Sequence, residues 1–468
     1  MRIVMFSINP IFPDRVTGGA SKHLFHIARH LGQEGHSVRI LCAEPEGALA
    51  PFTWSDNVQV LPVLPFKQPF PQPYGITGDA LALIVARLAQ HLSDADKFYL
   101  HDGEFLLPDV YARIPTVASL RDNIYPESVL GSFLGKFDDL ICVSAFSADV
   151  VRHTAGRFYP DLPRRMHVVN NGIDFETFRP RNAADLAREL GLDPQEQTIL
   201  LHPHRPERGK GLPETIKVVY QLIHHHGIEN IRVLVPEWID SMVSGEEDGF
   251  YREMMTLMAD LGIREQFLFI PWLPQDQMPA LYSLGQVTLC LGQIVEAFGN
   301  VAYESLACGT PSVVARVGVH RTMLPDDVIE KVDFGDIEGA AAIVAAYLRD
   351  GAFDAEAVLA VLKDRMDFAM QVNAYSRLIT RCEKRAPLTF QWESVKPETW
   401  YRLAPWCGIT GDRIYHDFKG RYTQDPHLAA LGHFGRHFTR DAGLKAGVSP
   451  AAWDAWLDGT WIVPVVEN

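Results

Sequence analysis

Two glutamates, Glu296 and Glu304, stand eight residues apart in the stretch 291–315, LGQIVEAFGNVAYESLACGTPSVVA. Phe298-Gly299 interrupts any helix around Glu296, whereas Val301, Ser305 and Leu306 have near-helical spacing. The pattern predicts a loop, a helix from about Asn300 to Gly309, a stop at Pro311 and a buried strand from Val313. A helix N-terminus beside a glycine offers unpaired N–H groups and the positive end of a dipole, which suit phosphate. Carboxylates repel that anion but accept hydrogen bonds from sugar hydroxyls. The stretch therefore suits a sugar joined to a phosphate. A buried α/β helix bearing two solvated glutamates fits the same residues.

A second group is cationic. Arg205 and Lys210 lie five apart in the glycine-bearing loop PHRPERGKG, after the strand-like 198–202 and before a helix from Pro213. Arginine can hold two phosphate oxygens at once and lysine adds a mobile point charge. The pair suits a diphosphate clamp; an exposed basic loop is the alternative.

These groups need a scaffold that aims loops at one place. Residues 2–7 read as a buried strand, followed by a loop with Gly18-Gly19, a helix with Leu24, Ile27, Ala28 and Leu31 at i, i+3, i+4, i+7, and a strand over 37–42. Strand, glycine loop, helix, strand is the pattern of a parallel sheet. Gly18-Gly19 permits close approach of backbone to a phosphate, or is a plain turn. Alternation continues through strand-like 98–100, 115–120 and 138–143, with Ser144 a predicted N-cap. Ligands collect beyond the carboxyl ends of parallel strands. His101-Asp102 fall at such an end, as acceptor-site candidates or a loop cap; Arg121-Asp122-Asn123 end the next strand, where Arg121 could bind a phosphate or carboxylate of donor or acceptor. The pattern restarts at Thr198 and runs through strands near 231–235, 267–270 and 287–291.

Composition limits the choices. At 468 residues the chain exceeds one ordinary core. A hydrophobic share of 47% is that of a globular protein, and the net charge of −15 argues against a general nucleic-acid or anionic-membrane surface. The six cysteines are scattered with no C-x-x-C, which fits a reducing compartment. No signal peptide or run of ~20 apolar residues is evident. A cytoplasmic protein is expected, with peripheral membrane contact left open. His26 and His30, four apart on one helix, lack an acidic or cysteine partner, so no metal site is expected.

Glu296, seven residues, Glu304, then Ala-Cys-Gly-Thr-Pro resembles the E-x7-E segment of retaining GT-B glycosyltransferases, in particular family 4. The R-x4-K-G of Arg205 and Lys210, and Asn171-Gly-Ile-Asp174 followed by Phe178 and Pro180, resemble that family too. The resemblance covers residues 2–385. It implies two Rossmann-like parallel-sheet domains facing a cleft. It implies that Glu296 contacts the donor sugar, Glu304 the nucleotide ribose, and the backbone of Phe298, Gly299 and Asn300 the sugar and diphosphate. Arg205 and Lys210 would hold the diphosphate, Gly18 and Gly19 would close over it, and the backbone of Trp272 and Leu273 would hold the base. Trp272 is equally a core tryptophan. The chain departs from the family at Ala297 (commonly Gly), Ser305 (commonly Ala) and Arg121 (commonly His). An arginine stays protonated and cannot act as a base.

The function implied is transfer of a sugar from a nucleoside-diphosphate sugar to an acceptor hydroxyl on a glycan, lipid or small molecule, with retention. No cofactor is implied. Arg205, Lys210, Glu296, His101 and Arg121 are the candidate catalytic groups. The alternatives are a nucleotide-sugar epimerase of the same fold and a non-catalytic sugar-binding scaffold. The expected domains are 1–178 on the acceptor side, 179–365 for the nucleotide sugar, a crossover helix at 366–385 and an extension at 386–468. The extension holds six of the nine tryptophans (392, 400, 406, 453, 456 and 461). Because tryptophans bury large areas, it is expected to dock on the body. Its role, and the oligomeric state, stay open.

Overall fold

The structure, a computed structural model, describes all residues except 15–17, 46, 48, 69–71, 103–104, 205–206, 238–244, 352, 393–395, 397, 434–436 and 467–468. Eight strands form the first sheet. They are β1 (Arg2–Ser7), β2 (Ser37–Ala43), β3 (Phe52–Ser55), β4 (Val58–Leu64), β5 (Lys97–His101), β6 (Thr116–Leu120), β7 (Asp139–Cys142) and β8 (Met166–Val168). Their order is β3-β4-β2-β1-β5-β6-β7-β8, parallel throughout except for β3 against β4. The β3–β4 edge hairpin is not anticipated by the sequence pattern; it turns at Asp56-Asn57, with Asn57 at φ 62°.

The second sheet contains β9 (Thr198–Leu201), β10 (Ile231–Pro236), β11 (Phe267–Ile270), β12 (Val287–Cys290), β13 (Ser312–Ala315) and β14 (Glu330–Val332). Its order is β11-β10-β9-β12-β13-β14, all parallel. In each sheet the chain starts centrally, builds outward to one side, then returns to the other. The reversal falls between β1 and β5 in the first sheet and between β9 and β12 in the second. Such switch points open a crevice beyond the strand ends.

The helix Gly19–Gln33 buries Leu24, Ile27, Ala28 and Leu31 against the first sheet. The helix Phe368–Arg381 leaves the second unit and lays Tyr375 and Ile379 into that same cluster. Beyond it the chain runs along the first unit: Gln391 N donates to Phe158 O (2.8 Å), and Phe390 stacks on Phe158. Then come β15 (Trp400–Leu403), β16 (Cys407–Thr410), β17 (Arg413–His416), β18 (Arg421–Gln424), β19 (Phe438–Thr439) and β20 (Ile462–Pro464). They form two antiparallel three-stranded sheets, β19-β15-β20 and β16-β17-β18.

Trp406, Trp453, Trp456 and Trp461 are buried in an apolar cluster continuous with the second unit. Trp392 and Trp400 are not, at 87% and 55% exposed. Trp392 follows the strap over Phe158, and its ring meets that of Phe390 edge-on. No helix among the described residues is long and apolar enough to cross a membrane.

Candidate functional site

The second switch point brings two loops together. Lys210 follows β9 and Glu296 follows its neighbour β12, and Lys210 Nζ lies 2.6 Å from Glu296 Oε1. The approach is backbone on backbone: a Cβ on Gly211, whose φ is 92°, would stand 2.5 Å from Gly292 N, and one on Gly292 would collide with Gly209 O. Ile294 N donates to Gly209 O (3.1 Å) and fastens the loops. Arg205, the other half of the expected clamp, lies outside the described residues.

Gly299 caps the helix Asn300–Ala307 in the left-handed region (φ 78°, ψ 50°), where glycine carries no Cβ penalty. The space a Cβ would need is filled by the His320 ring, whose Nδ1 meets Tyr303 OH at 3.2 Å. Burial pushes His320 down to about 4. Phe298 is buried with its ring against Tyr303, so it offers backbone rather than ring to a ligand. One turn into the helix, Glu304 accepts from Lys22 Nζ (2.7 Å) on Oε1 and from Tyr282 OH (3.1 Å) on Oε2. Lys22 and Glu304 are 11% and 12% exposed.

Lys22 belongs to the first unit and is 282 residues from its partner. Its ammonium also sits 4.2 Å over the Phe178 ring. Sequence reasoning missed it. A lysine in a helix whose core face is Leu24, Ile27 and Leu31 reads as solvated; its place three residues after Gly18-Gly19 was the available signal. Gly19 itself faces Asn300: a Cβ there would be 3.0 Å from Asn300 Nδ2, while the space beside Gly18 is open.

In the first unit the candidates are tied to one another. His101 Nε2 lies 2.8 Å from Ala20 O, which can only accept, so that nitrogen carries the proton. Its Nδ1 then accepts from Tyr99 OH at 2.9 Å. Burial, followed by the Arg121 charge, holds His101 well below its usual range, hence neutral. Arg121 donates to Asn171 Oδ1 (2.6 Å) and to Tyr375 OH (3.1 Å). Asn171 Nδ2 in turn donates to Asn300 Oδ1 (3.1 Å). Arg121 thus reaches the start of the second unit's helix through one amide.

Asp102, at φ 81°, accepts from Arg121 N (2.7 Å). Burial and then the Asp122 carboxylate push Asp102 up. Burial also raises Asp122, against the hydrogen bonds it accepts from Ile124 N, Ser128 Oγ and Tyr125 N.

Trp272 and Leu273 follow the end of β11, and Leu273 packs on the second unit's core. Among the described residues no three His, Cys, Asp or Glu side chains are grouped to hold a metal ion.

Solved structures share this architecture. Anabaena HepE, in complex with UDP and glucose, superposes with a TM-score of 0.64 at 19% identity, covering 81% of this chain and 100% of that one. The sucrose-phosphate synthase of Thermosynechococcus elongatus gives 0.67 at 16% identity, over 81% and 98%. Two parallel-sheet Rossmann-like units with switch points at the shared crevice make this the fold of the GT-B glycosyltransferases. More particularly, residues 17–177 match the model of Glycosyltransferase Family 4 and residues 185–361 that of Glycosyl transferases group 1, so the chain carries both domains.

Curated relatives include the D-inositol 3-phosphate glycosyltransferases of Acidothermus cellulolyticus and Rhodococcus jostii. The first is 34% identical over 169 residues, which is 36% of this chain and 37% of that protein. The second is 30% identical over 206 residues, 43% of each. The chain thus spans about two fifths of the length of the curated relatives it matches.

Proposed function

We propose that this protein transfers a sugar from a nucleoside-diphosphate sugar to an acceptor hydroxyl, with retention of anomeric configuration. The observation that carries the reading is the pairing at the second switch point: Lys210 on Glu296 beside a glycine-capped helix start, with Glu304 one turn further on. The diphosphate takes the helix amides and Lys210, whose charge stabilises the departing nucleoside diphosphate as negative charge grows on it. Glu296 and Glu304 exchange their lysine partners for donor hydroxyls. The acceptor oxygen attacks the anomeric carbon as the bond to the diphosphate breaks, and its proton passes to the departing phosphate oxygen on the same face. No carboxylate of the site need form a covalent bond.

His101, neutral and with both ring nitrogens engaged, shapes the first-unit wall, and Arg121 orients Asn171 and Asn300. Arg205 is proposed as a second diphosphate ligand, and the segment 272–273 as the seat of the base. The domain limits proposed are 1–178, 179–365, 366–385 and 386–468. Six buried free cysteines among the described residues agree with a reducing, cytoplasmic setting.

The relatives' name makes an inositol phosphate the first acceptor to try, and neighbours solved with UDP and UDP-glucose make UDP the first nucleotide. Calorimetric titration with UDP, GDP and ADP tests the donor half; a folded protein that binds none of them removes the reading. Product analysis with the matching nucleotide-glucose then separates transfer from epimerisation, which alters the free nucleotide sugar without an acceptor. Binding without turnover on any acceptor would favour the scaffold reading.

A further inference from the structure

The matched family domains end at residue 361, yet the turn beneath Glu296 is itself held by a residue far beyond it. Asp417, directly after β17, is 3% exposed. Its Oδ2 accepts from Gly318 N (3.2 Å) and its Oδ1 pairs with Arg321. Both oxygens therefore serve one short turn, 317–321. That turn supports the loop bearing Glu296. Val319 N donates to Glu296 O (3.3 Å). Gly318, at φ 55°, lies so close that a Cβ would stand 3.0 Å from the same oxygen. His320, two residues after Gly318, fills the space beside Gly299.

Other parts of the β16-β17-β18 sheet meet the same region. A Cβ on Gly420 would be 3.0 Å from Gln293 Oε1, and Gly408 lies against the Arg321 guanidinium. Tyr415 joins Ala315 and Val317 in one apolar cluster flanked by Phe334 and Tyr422. Tyr422 OH donates to Phe334 O (3.0 Å). Burying a carboxylate is costly unless its oxygens are fully paired. Here the pairing lies outside the sheet that carries the carboxylate, in the turn under Glu296.

We propose that the β16-β17-β18 sheet braces the donor loop, and that Asp417, acting through Gly318 and Arg321, is a positioning residue for nucleoside-diphosphate binding. The proposal rests on the donor reading of Glu296 and Glu304 given above. Removing the carboxylate leaves Gly318 N–H without its acceptor and the guanidinium with Arg316 O but no counter-charge from Asp417. The turn then relaxes, and with it the seat of the Glu296 backbone and the Gly299 cap.

The test is calorimetric titration of the full chain with UDP, GDP and ADP, with melting temperatures measured alongside. The proteins are the wild type, Asp417→Ala, Asp417→Asn and a control, Thr410→Val. Thr410 Oγ1 donates to Asp333 Oδ1 (2.8 Å) from the same sheet but away from the turn. Asp417→Ala is expected to weaken the nucleotide that the wild type binds by tenfold or more. Asp417→Asn, which keeps an acceptor for Gly318 but loses the ion pair, should fall between, and Thr410→Val should match the wild type. A folded Asp417→Ala protein with wild-type affinity overturns the brace, even if its melting temperature has dropped. If Asp417→Ala fails to fold, Asp417→Asn decides by the same criterion. A folded wild type that binds none of the three nucleotides removes the donor reading itself, and the brace with it.

Discussion

The two switch points hold polar side chains in opposite ways. Around β1 and β5, His101 and Asp102 are buried and Arg121 is half-buried, all three bonded to other protein groups, with the histidine held neutral. Around β9 and β12, Lys210–Glu296 is an ion pair 18% and 27% exposed, on loops that meet solvent. A partly solvated ion pair contributes little to stability and exchanges readily for a ligand. A buried network is costly to break and does not exchange. The first wall is thus a finished surface, while the second is a set of charges whose partners can be replaced.

If this contrast is correct, Lys210→Ala changes binding far more than folding. A loss of about 1,000-fold in affinity for the preferred nucleoside diphosphate is expected, with nearly unchanged melting temperature, by calorimetry and thermal denaturation. Equal affinity in wild type and variant would break the comparison at its strongest point.

Acidification offers the next largest effect. His320 titrates near 4 in the folded protein, against about 6.5 when unfolded. A depressed folded pKa gives stability that is complete above about 6.5 and lost as the pH falls towards 4. The contribution is on the order of 3 kcal/mol. His320→Gln should therefore flatten the fall in melting temperature between pH 7 and 4.5. An unchanged slope would mean that the ring beside Gly299 is not held neutral by its surroundings.

On the first wall, Arg121→Ala should cost about 2 kcal/mol of folding stability, because Asn171 Oδ1 and Tyr375 OH lose a charged donor. Chemical denaturation measures it. A variant as stable as wild type would show that the network exchanges as freely as the lysine pairs. The smallest effect joins the two units. Ser144 Oγ accepts from Ser147 N (3.0 Å) and donates to Ala297 O (2.7 Å). Ser144→Ala should cost about 1 kcal/mol, with a slight loss of nucleotide affinity. A loss of binding as large as that of Lys210→Ala would show that the first unit controls the donor loop directly.

Much of the architecture was legible because it is local. Glycine and near-helical spacing place a helix start at Asn300, and the observed helix is Asn300–Ala307. Ser144 caps the helix Ala145–Arg152 through Ser147 N, as its position before that run implies. The β3–β4 hairpin was not legible, because β3 is only four residues long and the turn lacks the usual glycine. Lys22 was not legible either: the pattern around it describes the face a helix buries, not what its opposite edge meets across a crevice.

The sequence by itself determined the alternation of elements, the restart of the parallel pattern at Thr198 and the chemical character of each loop, since these follow from periodicity and turn residues a few positions apart. Only the tertiary structure decided that Lys22 caps Glu304, that Arg121 reaches Asn300 through Asn171, and that Asp417 underlies Glu296. Those contacts join residues tens to hundreds of positions apart. They depend on how one sheet is laid against another, and no short-range preference encodes that.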